Sequence, residues 1–183
     1  MPETTPSLET FFFKPNGRVP NSRFPVLLHR GVIRPAPGQD MADAVEETFR
    51  RHDWLNNWRE LGVYDYYHYH STSHEVLGMA RGSITLRLGG EGGTVVTMAP
   101  GDVLVLPAGT SHTRLDNSPD SHMVGGYPEG RDWDLIRDEE VSESDFRAAI
   151  KLIGSLPIPA RDPATGEVMT LWRDAPRTYG IPF

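Results

Sequence analysis

Short apolar segments separated by turn residues dominate the middle of the chain, and they limit what it can fold into. The 183 residues include 18 glycines and 16 prolines, spread along the whole sequence. Pairs such as Gly89-Gly90 and Pro100-Gly101 favour tight turns between the segments. Seven short strands at this spacing are typical of an antiparallel sandwich or barrel. The predicted strands span residues 63–70, 75–80, 83–88, 94–98, 103–106, 112–115 and 122–127.

The flanks have a different character. Repeated prolines before residue 38 exclude a long central strand, so only short edge strands are expected there. Asp40 and Ser142 each precede a segment with apolar residues at helical spacing, which predicts two capped helices. The proline-rich sequence after Leu156 predicts an irregular tail. The predicted flanking elements are two edge strands near Phe11–Phe13 and Phe24–Leu28, one helix at about 40–53 and one at about 142–154.

Composition excludes several classes of protein. The formal net charge is -7, so the chain lacks the positive field of a dedicated nucleic-acid binder. It has no cysteine, which excludes disulfides, thiolate metal sites and cysteine nucleophiles. No apolar stretch is long enough to span a bilayer, and Met1–Thr10 has no secretory signal pattern. A cytoplasmic protein without nucleic-acid or membrane partners is therefore predicted.

A cluster of histidines is the main candidate for chemistry. His68 and His70 are two residues apart, so in a strand both side chains point to the same face. A turn at Ser71–Ser73 would bring Glu75 back beside them, and His112 could add a third imidazole from a neighbouring strand. Three nitrogens and one carboxylate suit Mn, Fe, Co, Ni or Zn. The alternative is a polar strand face exposed to solvent. Single histidines are usually structural, which is the interpretation for His29, His52 and His122.

The spacing of these residues resembles the two motifs of the cupin superfamily. The first is Gly62-x5-His68-x-His70-x4-Glu75-x6-Gly82, and the second is Gly101-x5-Pro107-x-Gly109-x2-His112. The asparagine that usually closes the second motif is Asp116 here, with Asn117 one place later. This departure affects a turn residue and none of the candidate ligands.

A wider pattern resembles the YjlB-like single-domain cupins, whose members mostly have no assigned activity. It comprises Phe11-Phe12, Pro20-Asn21, Pro25 to Leu28, Trp54…Trp58, His68 to Leu77, Gly126-Tyr127-Pro128 and Pro157…Asp162-Pro163. The resemblance implies a mainly β fold, a small antiparallel barrel or jelly roll, with one helix on each side of the core in sequence. It also implies that His68, His70, Glu75 and His112 hold a divalent transition metal inside the barrel.

The expected organisation is one cupin domain over 1–183. Its core is 61–127, its N-terminal strands and helix are 8–60, and its C-terminal helix and irregular tail are 128–183. Family analogy suggests a homodimer, with the apolar N-terminal segments as one possible contact. These assignments are expectations from pattern and resemblance.

Further residues are candidates for a role beside the metal. Strand parity places Tyr64 and Tyr66 on the face of His68 and His70, and Arg114 on the face of His112. His74 has the opposite parity from Glu75, but a turn there could make it an alternative ligand. The catalytic residue is not identified, and Tyr66, His74 and Arg114 are the candidates.

Two functions remain open at this point. The first is a metal-dependent enzyme acting on a small molecule, by oxygenase, isomerase or decarboxylase chemistry. Dioxygenase-like chemistry is slightly favoured because a histidine-rich set with one carboxylate suits iron or manganese. The alternative is a non-catalytic cupin that binds a small sugar or carboxylate. A structural or storage role is the least favoured.

Overall fold

Two antiparallel sheets face each other in this computed structural model, which describes residues 5–176. The six-stranded sheet has the order β1-β2-β8-β5-β10-β3, and the five-stranded sheet has the order β11-β4-β9-β6-β7. The prediction of a mainly antiparallel β fold with flanking helices is confirmed. The ends of the predicted domain, residues 1–4 and 177–183, lie outside the described residues.

The elements follow one another along the chain with short connections. The strands are β1 Ser7–Phe11, β2 Val26–Arg30, β3 Trp54–Glu60, β4 His68–Tyr69, β5 Glu75–Arg81, β6 Ile84–Leu88, β7 Thr94–Met98, β8 Val103–Leu106, β9 His112–Asn117, β10 His122–Pro128 and β11 Ile136–Arg137. The helices are α1 Met41–Arg51, α2 Glu143–Ser155 and α3 Thr170–Arg173.

Both longer helices begin where the sequence predicts. The Asp40 side chain accepts a hydrogen bond from the backbone N–H of Ala42 and caps α1. The Ser142 hydroxyl accepts one from the backbone N–H of Asp145 and caps α2. These polar caps satisfy helix N–H groups that have no partner within the helix.

Four local predictions were wrong. The strand expected over 63–70 is only His68–Tyr69, because the chain bends from Gly62 to Tyr67. The second expected edge strand, β2, is internal and pairs with both β1 and β8. Trp54–Glu60 is a strand that the sequence did not indicate, since Asn56 with φ 53° interrupts its alternation. The tail expected to be irregular contains α3.

The inner strands of the six-stranded sheet are buried on both faces. Alternate residues of β5 illustrate this: Val76 packs beneath α1 and the C-terminal tail, and Leu77 packs between the two sheets. Phe49 of α1 and Trp172 of α3 complete the outer core, and both are fully buried. Burial on two faces explains why β2, β5 and β8 are nearly continuous apolar runs.

The C-terminal tail is held against the sheet by a buried hydrogen bond between His29 and Asp162. His29 Nε2 lies 2.9 Å from Asp162 Oδ2, and Asp162 Oδ1 accepts hydrogen bonds from the backbone N–H groups of Ala164 and Thr165. Burial opposes ionisation, but the hydrogen bond and charge of His29, with those N–H groups, hold the pKa of Asp162 below its usual value.

We expect Asp162→Asn to lower the free energy of unfolding at pH 7 by about 1–3 kcal/mol, because it weakens the buried hydrogen bonds of a carboxylate. A carboxyl whose pKa is lowered by folding stabilises the protein above its unfolded pKa and loses this effect as pH falls through the folded pKa. The difference between the two proteins should therefore shrink in acid. Urea unfolding at pH 7 and below pH 4 measures it, with Asp132→Asn on an exposed side chain as the control. An equal deficit at both pH values would contradict this assignment.

No helix within residues 5–176 combines the length and the apolar character that crossing a bilayer requires.

Candidate metal centre

Three buried imidazoles and one buried carboxylate meet between the two sheets. His68 in β4 is paired directly with His112 in β9, so their side chains lie on the same face of the five-stranded sheet. His70 follows β4, and its carbonyl accepts a hydrogen bond from the backbone N–H of Gly109. Glu75 is the first residue of β5, in the opposite sheet. The bend at 71–73 therefore carries the chain from one sheet to the other and brings the carboxylate to the histidines.

The donor atoms are close enough to share one ion. Within the described part of the chain, His68, His70 and His112 each offer one ring nitrogen, and these three atoms all lie within 4.8 Å of one another. Glu75 Oε2 lies 3.2 Å from His70 Nε2 and 3.4 Å from His112 Nε2. All four residues are at most 5% exposed. The structure thus brings together the four residues predicted from the sequence.

Main-chain carbonyls hold all three imidazoles in one tautomer. The Nδ1 atom of His68 donates to Tyr66 O at 3.0 Å, and that of His112 donates to Thr110 O at 3.0 Å. His70 Nδ1 donates to Asp134 O. Because each proton is on Nδ1, each Nε2 presents a lone pair to the shared space. Such a hydrogen bond on the far nitrogen is usual for histidines that bind metals.

The arrangement fits a bound cation. His112 Nε2 is buried and makes no hydrogen bond. With the protons on Nδ1, the lone pairs of His70 and His112 face a carboxylate oxygen that has no hydrogen to offer. A cation between them resolves this conflict, and a transition metal prefers this set of nitrogen and oxygen donors.

The electrostatics of the metal-free group agree with this interpretation. Burial, with the neighbouring His112 ring, lowers the pKa of His68 to about 3, so this ring is neutral near pH 7. Burial opposes ionisation of Glu75, but His70 and His112 hold the pKa of this carboxyl well below its usual value. Burial also disfavours the charged form of His70, but Glu75 raises the pKa of this ring. Glu75 thus favours a positive charge at this position, which a bound metal ion would also supply.

Two groups of contacts around the ligands were not predicted. The Asp134 carboxylate accepts hydrogen bonds from the backbone N–H groups of Ser71 and Thr72, at 2.7 and 3.1 Å, and from both of their hydroxyls. These bonds fix the Asp134 carbonyl on His70. Burial works against ionisation of Asp134, but the hydrogen bonds from Ser71 and Thr72 hold its pKa below the usual value. No sequence signal connects residues more than 60 positions apart.

The second group orients the Glu75 carboxylate. The Tyr127 hydroxyl donates to Glu75 Oε1 at 3.3 Å and accepts a hydrogen bond from Trp58 Nε1 at 3.0 Å. Burial and the Glu75 charge raise the pKa of Tyr127, so it remains a neutral donor. Trp58 lies against Gly125, where an added Cβ would be 2.0 Å from the indole Cε2. A glycine is therefore needed there to hold the indole, the hydroxyl and the carboxylate in line.

The three histidines and Glu75 line a cavity of about 610 Å³. Trp58, Tyr64, Tyr127 and Trp133 contribute aromatic walls, and Arg114 also lines the space. Trp133 contacts the His70 ring edge to face, with the centroids 5.3 Å apart, and stacks on Tyr127. A volume of this size accommodates a small organic molecule.

The three candidates for a catalytic residue, His74, Tyr66 and Arg114, lie in different places. His74 is buried outside the cavity, where its Nδ1 accepts from the Ala108 backbone N–H and its Nε2 donates to Pro157 O. Tyr66 contacts the His68 ring and lies beneath the Arg137 guanidinium, but it does not line the cavity. Arg114 does line it. Tyr64, predicted to face inward with Tyr66, is 48% exposed.

Comparison with known proteins identifies the family. The uncharacterized protein YjlB of Bacillus subtilis is 33% identical over 168 residues, which cover 90% of this chain and 96% of that protein. The chain belongs to the YjlB family. This confirms the predicted resemblance, although no family model matches the sequence.

Solved structures give weaker likenesses to this YjlB-family chain. They include acireductone dioxygenase from Bacillus anthracis with a cadmium ion (16% identity, TM-score 0.38), covering 52% of this chain and 64% of that one. RmlC from Streptococcus suis with dTDP-D-xylose has 12% identity and a TM-score of 0.40, covering 76% and 89%. Oxalate decarboxylase from Bacillus subtilis, with Mn(II) centres, has 13% identity and a TM-score of 0.36, covering 81% and 39%.

Proposed function

We propose that this YjlB-family chain is a metal-dependent cupin enzyme that acts on a small molecule. His68, His70, Glu75 and His112 would hold the metal. The observation that supports this proposal most strongly is the common orientation of the three imidazoles. Each Nδ1 is bound to a carbonyl and each Nε2 faces the Glu75 side of a cavity. A purely structural histidine cluster has no need for three such lone pairs around one space.

The donor set favours an ion with redox or Lewis-acid chemistry. When bound, iron or manganese supplies a redox couple and polarises an oxygen of the substrate. The chain's own residues do the rest. Tyr127 keeps Glu75 in one orientation, and the Asp134 carbonyl keeps the His70 proton on Nδ1. Trp58 and Trp133 form apolar parts of the cavity wall. Dioxygenase-like chemistry is the reaction class we favour.

Turnover separates this proposal from the non-catalytic alternative. Fe(II)-loaded and Mn(II)-loaded protein would be incubated in air with a panel of small aromatic, aliphatic and sugar carboxylates. Oxygen uptake and mass spectrometry would follow each mixture. We expect conversion of one compound beyond one equivalent per site, and its loss in His70→Ala. Compounds that bind with measurable affinity but stay unchanged with every metal would overturn the enzyme proposal and favour a binding protein.

A further inference from the structure

Arg114 lies on the interior face of the five-stranded sheet. In the ladder between β9 and β6, Arg114 is paired with Leu86, and His112 is paired with Leu88. Directly paired residues project to the same side of a sheet. Leu86 and Leu88 are both buried in the core between the sheets, so Arg114 starts from the same face as the candidate ligand His112. The side chain lines the cavity and is 27% exposed.

The partner of Arg114 within the protein is weak. Its guanidinium lies 3.7 Å from a carboxylate oxygen of Asp65, beyond hydrogen-bond distance, and the Asp65 side chain is 74% exposed. A solvated pair of this kind contributes little stability. In the described part of the chain, no other ion pair involves Arg114. The planar fork of N–H donors therefore remains available for a carboxylate in the cavity.

The carboxylates that also line the cavity do not compete with a bound anion for Arg114. Glu60 and Asp65 are exposed residues. Glu75 already faces His70 and His112 and receives the Tyr127 hydroxyl. Among the described residues that line the cavity, Arg114 is thus the one arginine or lysine. A metal ion held by the candidate ligands would supply a second positive charge.

The walls suit a flat apolar body. Tyr127 and Trp133 are stacked with an interplanar angle of 19° and centroids 5.9 Å apart. Trp58 is held against Gly125, so its ring cannot approach that strand more closely or turn freely. Tyr64 adds a further aromatic surface. Aromatic side chains favour aromatic partners through stacking and edge contacts.

We propose that the cavity binds a small aromatic carboxylate, with its carboxylate on Arg114 and its ring against Trp58, Tyr127 and Trp133. This inference deepens the proposed function, since the ring would then lie beside the candidate metal ligands. Arg114 is a specificity-determining residue in this arrangement, because it favours a carboxylate over neutral analogues of the same shape.

Calorimetric titration with benzoate as the probe tests this inference. Benzamide is the neutral control of similar shape, and cyclohexanecarboxylate is the control without an aromatic ring. We expect Co(II)-loaded wild-type protein to bind benzoate about tenfold or more tightly than benzamide, because benzamide lacks the charge-assisted contact with Arg114. Benzoate should also bind more tightly than cyclohexanecarboxylate, because the saturated ring loses the contacts with the aromatic walls. Arg114→Gln should weaken benzoate binding by a similar factor and leave benzamide binding unchanged. Arg147→Gln, an exposed change on α2, should have no effect.

Three results would overturn the inference. The first is that benzoate at millimolar concentration does not bind the wild-type protein. The second is that Arg114→Gln and wild type bind benzoate with equal affinity. The third is that the wild type binds benzoate and cyclohexanecarboxylate with equal affinity. Metal content measured on the same samples separates this inference from the proposed function. If the protein takes up no metal but binds benzoate through Arg114, only the enzyme proposal is contradicted. If benzoate binding needs cobalt but not Arg114, only this inference is contradicted.

Discussion

His70→Ala should reduce the metal content of the purified protein from about one ion per chain to below about 0.1, because it removes one of four ligands from a small preformed site. The variant also leaves Glu75 without its nearest imidazole, which lies 3.2 Å away in the wild type. Elemental analysis of protein made without a histidine tag measures this. The content should stay low after incubation with Fe, Mn, Co, Ni or Zn.

A matched control makes this result specific. His122→Ala changes a histidine at the start of β10 that does not line the cavity, and it should retain the wild-type metal content. Circular dichroism and thermal unfolding should show that His70→Ala is still folded. Equal metal content in wild type and His70→Ala would contradict the proposed ligand set.

Asp134→Ala should weaken metal binding about 10–100-fold although Asp134 offers no ligand atom from its side chain. The carboxylate ties the turn at Ser71 and Thr72 to the segment whose carbonyl accepts the His70 proton. Without it, both the turn and the carbonyl lose their fixed positions, and the His70 ring can rotate or change tautomer. Competition of Co(II) between the protein and a chelating dye measures the affinity.

Control variants separate positioning from general stability. Asp132 is an exposed residue two positions before Asp134, and Asp132→Ala should keep the wild-type affinity for cobalt. Asp134→Asn retains one acceptor oxygen and should fall between wild type and Asp134→Ala. If Asp134→Ala lowers the melting temperature but leaves the cobalt affinity unchanged, Asp134 has a structural role only.

The sequence predicted which candidate ligands lie together better than it predicted their surroundings. His68, His70, Glu75 and His112 lie on two short motifs, and the resemblance of these motifs to those of the cupins implied that the four side chains meet. Asp134 contacts Ser71 from 63 positions away, and Tyr127 contacts Glu75 from 52 positions away. Contacts of that range depend on how the two sheets are placed, which local pattern does not specify.

The errors in the fold have similar causes. The alternation of side chains along a strand predicted that Tyr64 and Tyr66 lie together beside the histidines. Their rings do stack and both contact His68, but residues 62–67 bend, only His68–Tyr69 is a strand, and Tyr66 does not line the cavity. Parity holds only where the backbone is extended. It succeeded for Arg114 because β9 pairs regularly with β6 from His112 to Arg114, and the register shifts only beyond Arg114. β3 was missed because its polar asparagines and the positive φ of Asn56 conceal a strand between two aromatic residues.

Anomalous diffraction from a crystal of the Co(II)-loaded protein, with data on both sides of the cobalt absorption edge, tests the central claim most directly. We expect one peak per chain between the two sheets. It should lie about 2.0–2.3 Å from Nε2 of His68, His70 and His112 and from a Glu75 carboxylate oxygen. A cobalt peak elsewhere on the molecule with none at this group, or no peak in protein saturated with cobalt, would contradict the account.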